Sequence, residues 1–304
     1  MPPFLYDHLG EFCALAYAFL WTLCTICWTS AGRRVGAMAV CFDRLVIGTA
    51  ILLIYCKIAL GTWIPLDASV RIWTILLVSG AIGFFLGDLC IFKAFVIIGP
   101  RLSLLLQSLT PIAVAVIAYF YLGEPLGPIK WLGMAVTLSG VVWVVLERPE
   151  SPKETHHRKD FTWGIFLAAV TALLGAVSQV LAKQVLAERY YDPFVVTLVR
   201  VLGGVVCFPI LFTIVGHWRQ IGASFMDRRA VAVVFIGSVL GPFVGVALNM
   251  KSLALCSSGV AITLINTAPV MFLPFAVFLY KEKISPRAAI GAVVSVAGVA
   301  LLML

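Results

Sequence analysis

Charged residues are scarce in this chain. Lys, Arg, Asp and Glu make up 12% of 304 residues, against 62% hydrophobic residues and a mean hydropathy of +1.06. That is too little charge to coat a soluble domain of this size. The net charge of +8 is spread over short loops, with no basic run, which argues against a nucleic-acid partner. Histidine is equally sparse: His8, His156, His157 and His217 all fall outside the apolar segments, so no intramembrane metal site is expected. The chain has no H-E-x-x-H, no G-x-S-x-G between a strand and a helix, and no Walker A loop. No enzyme activity and no cofactor are expected from it. The start, MPPFLYDHLGE, has no basic n-region and is not expected to be a cleaved signal peptide. No N-x-S/T sequon occurs, which with the short loops favours a bacterial inner membrane.

The eight cysteines (Cys13, Cys24, Cys27, Cys41, Cys56, Cys90, Cys207, Cys256) lie in or beside apolar segments and form no extracellular disulfide framework. Cys24 and Cys27 make a C-x-x-C without the strand and turn of a redox motif, and read as small interior residues.

Apolar runs of a length that spans a hydrocarbon core are abundant. Ten are readable, at about 10–29, 38–59, 72–97, 102–122, 128–146, 162–186, 194–216, 230–255, 258–280 and 286–304. The one long polar connection, ERPESPKETHHRKD, divides the chain into a first five-helix unit (1–146), a linker (147–160) and a second unit (161–304). Five is odd, so the second unit enters the membrane in the opposite orientation. The expected fold is an all-α membrane protein of ten transmembrane helices in two inverted five-helix repeats.

The halves also match residue by residue. With a constant offset of 158, Lys93 falls on Lys251, Pro111 on Pro269, Glu124 on Glu282, Pro128 on Pro286, Gly133 on Gly291 and Gly140 on Gly298. Apolar composition alone does not repeat prolines, glycines and charges in register, so the pattern is an internal duplication. With the N-terminus on one side, the loops of the other side carry thirteen basic residues and those of its own side five. The positive-inside rule then places both termini outside. Trp63, Trp73, Trp131, Trp163 and Trp218 sit near span ends, as interfacial aromatics do.

Candidate functional residues are the polar ones inside spans. Pro111 and Pro269 are expected to break the fourth and ninth spans near their middles, beside Gln107, Ser108 and Thr110 in one half and Thr263, Asn266 and Thr267 in the other. Such broken helices at matching depth point to a midplane binding site, or else their polar side chains cross-link helices. The first and sixth spans pair at an offset of 154, which sets Thr25 opposite Gln179, with Trp21, Thr22 and Ser178 nearby. Asn249 completes the substrate-binding candidates. Asp88 has no twin, since its equivalent is Val246. It must pair with a cation, line a cavity or stay protonated, and proton coupling competes with a structural ion pair. Lys93 and Lys251 either snorkel to headgroups or bind an anion, and Arg44 and Arg200 are expected to pair between helices or cap backbone.

The fourth and fifth spans, SLTPIAVAVIAYFYLGEPLGPIKWLGMAVTLSGVV, and their duplicates, INTAPVMFLPFAVFLYKEKISPRAAIGAVVSVAGVAL, resemble the repeat of the EamA-type drug/metabolite transporters. The shared signature is the proline, the glutamate that ends a helix and the spaced glycines. The resemblance implies ten helices in two inverted repeats around a central cavity, and export or exchange of amino acids, metabolites, sugar phosphates or nucleotide sugars. Family members are drawn with both termini cytoplasmic, opposite to the charge count here. The surroundings of Lys93 (IFKAF) and Lys251 (NMKSL) are similar to lysines of the anion-carrying branches, which keeps an organic-anion or sugar-phosphate exchanger open. The expected activity is secondary transport of a small polar or amphipathic metabolite, with protons as a candidate coupling ion and the lipid bilayer as a partner. Monomer and homodimer are both compatible with it. The competing class is a membrane-embedded binding or assembly protein that moves nothing.

Overall fold

The computed structural model describes residues 8–64, 68–147, 158–188, 191–216, 218–268, 270–271, 274–275 and 286–302. Among them all regular structure is helical. The helices are α1 (Leu9–Val35), α2 (Ala37–Leu60), α3 (Val70–Gly80), α4 (Asp88–Gln107), α5 (Thr110–Leu122), α6 (Pro128–Glu147) and α7 (Arg158–Glu188). They continue with α8 (Pro193–Val215), α9 (Trp218–Met226), α10 (Arg228–Ser238), α11 (Val246–Leu255), α12 (Ser258–Ile265) and α13 (Pro286–Leu302). Two π-helical segments, Ala81–Gly87 and Val239–Gly245, join α3 to α4 and α10 to α11. The second begins and ends 158 residues after the first, so the duplication extends to this uncommon backbone form.

Breaks occur where the sequence supplies a cheap exit. The positive-φ glycines of the described residues, Gly36, Gly61, Gly123 and Gly216, all stand at the ends of helices. Ser69, Asp192 and Asp227 cap helix N-termini through their side chains, and Pro193 follows Asp192 in the first turn of α8.

Among the described residues six helical stretches are long and apolar enough to cross a membrane: Leu9–Gly32, Met38–Leu60, Val70–Ile91, Phe161–Ala187, Pro193–Val215 and Arg228–Leu255. Two shorter apolar helices, Thr110–Leu122 and Ala289–Leu302, accompany them. The sequence reading differs from this in three places. Helical conformation continues through Gly99 and Pro100, and the interruption expected at 98–101 falls instead at Ser108–Leu109. Pro111 therefore sits in the first turn of α5, not mid-helix, where its missing N–H has no bond to lose. The connection after the seventh span holds the short helix α9, strongly amphipathic, where only a loop was expected.

Packing interleaves the two sequence halves. Helix α1 runs antiparallel to α10 and α11 of the other half: Gly10 faces Leu255, Tyr17 faces Gly245 and Cys24 lies against Gly237 and Gly241. In the matching arrangement α7 lies along α3 and α4: Gly164 faces Ile97 and Ile98, Thr171 donates to Gly87 O, and Ser178 meets Ser79 and Gly83. The two sets are related by offsets of 154 for the long helix and 158 for its partner.

Equivalent helices also meet each other antiparallel. In α2 and α8, Phe42 packs on Phe208 and Phe212 while Tyr55 packs on Phe194. In α6 and α13, Gly133 faces Leu302, Gly140 faces Gly291 and Ser295, and Gly298 faces Thr137. Lipid offers no hydrophobic drive between helices, so glycine that lets backbones approach takes its place.

A Cβ at Gly140 would lie 2.6 Å from Gly291 O and 2.8 Å from Ser295 Cα, both backbone atoms that have nowhere to go. At Gly175 the nearest atom is Thr110 Cγ2 at 3.8 Å. Gly140→Ala is therefore expected to destabilise by ~2–3 kcal/mol, whereas Gly175→Ala is neutral or gains up to ~1 kcal/mol from helix propensity. Thermal unfolding of the two purified variants in detergent checks the ordering, and equal midpoints would refute it.

Candidate functional site

Two arginine-centred clusters sit inside the helix bundle, on equivalent helices α2 and α8. Arg44, 4% exposed, donates to Asp88 Oδ2, and the pair is a direct ion pair. Cys41 Sγ lies 3.6 Å from the same oxygen, and the indole of Trp28 lies 4.7 Å below the guanidinium. The adjacent Asp43 faces elsewhere and accepts from Ser224 Oγ at 2.7 Å on α9, as successive residues of a helix must diverge.

Arg200, 2% exposed, makes a different set of bonds. Its Nε donates to Ser79 Oγ at 3.0 Å, one terminal nitrogen to Ser178 Oγ at 3.0 Å and the other to Met250 Sδ at 3.1 Å. The ring of Phe84 lies 5.3 Å from the guanidinium carbon. Ser178 returns a bond to Ser79 O at 2.7 Å, which ties α7, α3 and α8 together. Tyr17, buried on α1, lies near enough to both arginines and to Asp88 to feel their charges.

The polar residues predicted to lie within the fourth and ninth spans are arranged around helix breaks. Helix α4 ends at Gln107, which is half-buried, and Ser108 in the following turn is buried. Helix α12 ends before Asn266 and Thr267, at the equivalent point of the other half. Pro269 lies outside the described residues. Asn266 Nδ2 donates to Ile262 O at 2.9 Å and Thr267 Oγ1 to Leu264 O at 2.7 Å, so both close the end of their own helix. From α1, Thr22 Oγ1 reaches Ala268 O at 3.1 Å, beside that break.

Trp21 is half-buried between Tyr17 and Trp28, with ring centroids at 5.7 and 5.3 Å. Thr25 is exposed and donates to Trp21 O at 2.8 Å. Buried oxygens without a hydrogen-bond partner among the described residues include Gln179 Oε1, Asn249 Oδ1 and Thr110 Oγ1. Lys93 is exposed and Lys251 half-buried. Of the sequence-predicted residues, the structure thus brings Arg44 to Asp88, and Trp21 to the Tyr17 and Trp28 that border both clusters.

One polar constellation escaped the sequence reading. Glu124 Oε2 accepts from the Ser258 backbone N–H at 2.8 Å, capping α12, and Glu124 Oε1 lies 3.4 Å from Lys183 Nζ. Lys183, buried within α7, also donates to Leu253 O and to Cys256 O, the latter at 2.9 Å. A glutamate repeated after each broken span signalled a cap, but not that it caps a helix of the other half. Glu282 lies outside the described residues.

Removing one partner of a buried ion pair strands the other charge. Asp88→Asn is expected to cost ~3–5 kcal/mol, and the double change Arg44→Met with Asp88→Asn to recover most of that loss. Thermal unfolding of the single and double variants tests this; additive losses would show that the two residues do not act as a pair.

The fold has relatives of known structure. A crystal structure titled only as that of a protein matches with a TM-score of 0.72 at 21% sequence identity, over 97% of this chain and 96% of its own, which speaks for the fold alone. Among curated protein sequences none matches. The EamA-like transporter family matches twice, over residues 8–146 and 162–304. A duplicated, all-helical, largely apolar chain matched along nearly its whole length in this way belongs to the EamA-like transporter family, a family of membrane transporters.

Proposed function

We propose that the protein is a secondary transporter of a small polar or amphipathic metabolite, built as ten transmembrane helices in two inverted five-helix repeats. The repeats are residues 1–146 and 161–304, joined by the linker 147–160. Antiparallel contact between equivalent helices supports the inversion, because a twofold axis in the membrane plane turns each helix against its copy. The observation that carries the functional reading is the pair of helix interruptions at Ser108–Leu109 and Asn266–Thr267. Inside lipid such backbone persists only where protein or a wet cavity satisfies it. Gln107, Ser108, Asn266 and Thr267 at the breaks, with Gln179, Asn249, Thr25 and Trp21 on the neighbouring helices, form the proposed substrate surface.

Alternating access then requires the interleaved halves to move about these breaks. The π segments at Gly83 and Gly87, and at Gly241 and Gly245, are the proposed points of give, since they already depart from regular α-helix. They lie inside long helices. The ion pair with Arg44 supports a structural role for Asp88. A proton-coupling role would require that pair to part in one state of the cycle, since coupling needs different proton affinities in different states.

Two outcomes follow in proteoliposomes screened with radiolabelled amino acids, organic anions and nucleosides. For the substrate so found, Gln107→Ala combined with Asn266→Ala is expected to lower flux at least ~10-fold while leaving the unfolding midpoint within a few degrees of wild type. Unchanged flux would remove the helix breaks from the substrate path, and a non-transporting membrane receptor would show no flux for any compound. A matched response to a pH gradient in wild type and Asp88→Asn is the expected result for a structural Asp88. A response lost in the variant alone, with basal exchange retained, would restore the proton-coupling role.

A further inference from the structure

The duplication supplies an arginine to equivalent places in α2 and α8 but a carboxylate to only one of them. Asp88 neutralises Arg44, while Val246 stands at the position equivalent to Asp88. Arg200 has three neutral partners, two hydroxyls and a thioether, and forms no ion pair among the described residues. An ionised side chain buried this deeply in a membrane protein without a counter-charge marks a functional site by default.

The guanidinium has the means to take such a group. It carries five N–H bonds, and its described partners use one on each nitrogen. Two N–H bonds, one on each terminal nitrogen, are thus left for a further acceptor, and a carboxylate is the partner that guanidinium geometry favours. The surroundings also suit an organic ligand. Phe84 presents its ring to Arg200. Asn249, 1% exposed, adjoins Met250 and lies one turn from Gly245, which faces the Tyr17 ring; among the described residues its amide oxygen has no partner. Gln179, next to Ser178, likewise has an unpartnered amide oxygen.

We propose that Arg200 anchors a single carboxylate of the transported molecule, which occupies in the second half the role that Asp88 plays in the first. This rests on the transporter reading and narrows its substrate to an organic monocarboxylate. A dianionic phosphate would call for a second free cation, and the neighbouring arginine is already neutralised by Asp88.

The test uses the purified full chain with three isosteric probes: 4-methylpentanoate, leucine and leucinamide, with chloride and inorganic phosphate as further arms. The two carboxylates are expected to raise the unfolding midpoint of wild type and leucinamide not to. Their affinity is expected to fall at least ~100-fold in Arg200→Gln. In Arg200→Lys, which keeps the charge without the fork, it falls ~10-fold. Should Arg200→Gln fail to fold, Arg200→Lys carries the comparison. Equal binding by wild type and variant, stabilisation by leucinamide, or no stabilisation by either carboxylate overturns the assignment. Stabilisation by chloride or phosphate alone overturns it as well, leaving an inorganic counter-ion. Flux of the same probes in proteoliposomes separates the two readings. Arg200-dependent binding without flux sinks the transporter and keeps the anchor, and flux of leucinamide unaffected by Arg200→Gln does the reverse.

Discussion

A charge placed inside a bilayer must be answered by something other than lipid, and that constraint shapes this bundle. The Arg44–Asp88 pair meets it by direct neutralisation across α2 and α4. Arg200 meets it halfway, by hydrogen bonds to Ser79 and Ser178 that satisfy geometry but leave the charge standing. Lys183 is answered by Glu124 and two backbone carbonyls at the end of α11. Each solution joins helices far apart in sequence, so the polar groups that cost most to bury also fix which helices are neighbours.

Around these fixed points the apolar surfaces fit by close approach. Gly80 rests against the backbone of Arg200 and Gly203 against that of Leu77, so α3 and α8 cross with almost no side chain between them. The same device recurs at Gly48 against Pro242 and at Gly204 against Phe84, equivalent positions of the two halves. Because each half sends its first long helix to pack on the third span of the other, the copies are woven together. A motion of one half against the other must then be carried by paired elements from both, such as α1 with α10 and α11, or α7 with α3 and α4.

Much of this was legible in the sequence because prolines, glycines and charges do not repeat by chance in apolar helices. The offset of 158 that aligned Gly133 with Gly291 and Gly140 with Gly298 reappears as the antiparallel contact between α6 and α13. The ion pair foreseen as one reading of Asp88 found its partner in Arg44, although nothing in the spacing of the two residues named it. What stayed hidden is what depends on register between helices. Helix α4 continues through Gly99 and Pro100 against their low helix propensity, where a connection between spans was expected, and the break moves to Ser108–Leu109. Lys183, inside the sixth span, gave no sign of its partner, because Glu124 lies in the other half. The amphipathic α9 was missed because Trp218–Met226 is short and flanked by charges. The polar residues at the breaks were identified by type, but their hydrogen bonds to their own helices follow only from coordinates.

The account stands or falls on whether the two copies enter the membrane upside down to each other. Trp63 and Trp218 occupy equivalent positions just beyond α2 and within the first turn of α9, and both are exposed. In a variant stripped of the eight native cysteines, Trp63→Cys and Trp218→Cys can be labelled singly in intact cells with a membrane-impermeant maleimide, and again after permeabilisation. An inverted pair predicts that one of the two reacts from outside and the other only after permeabilisation. Labelling of both from the same side would contradict the inverted arrangement and, with it, the shared site between the halves.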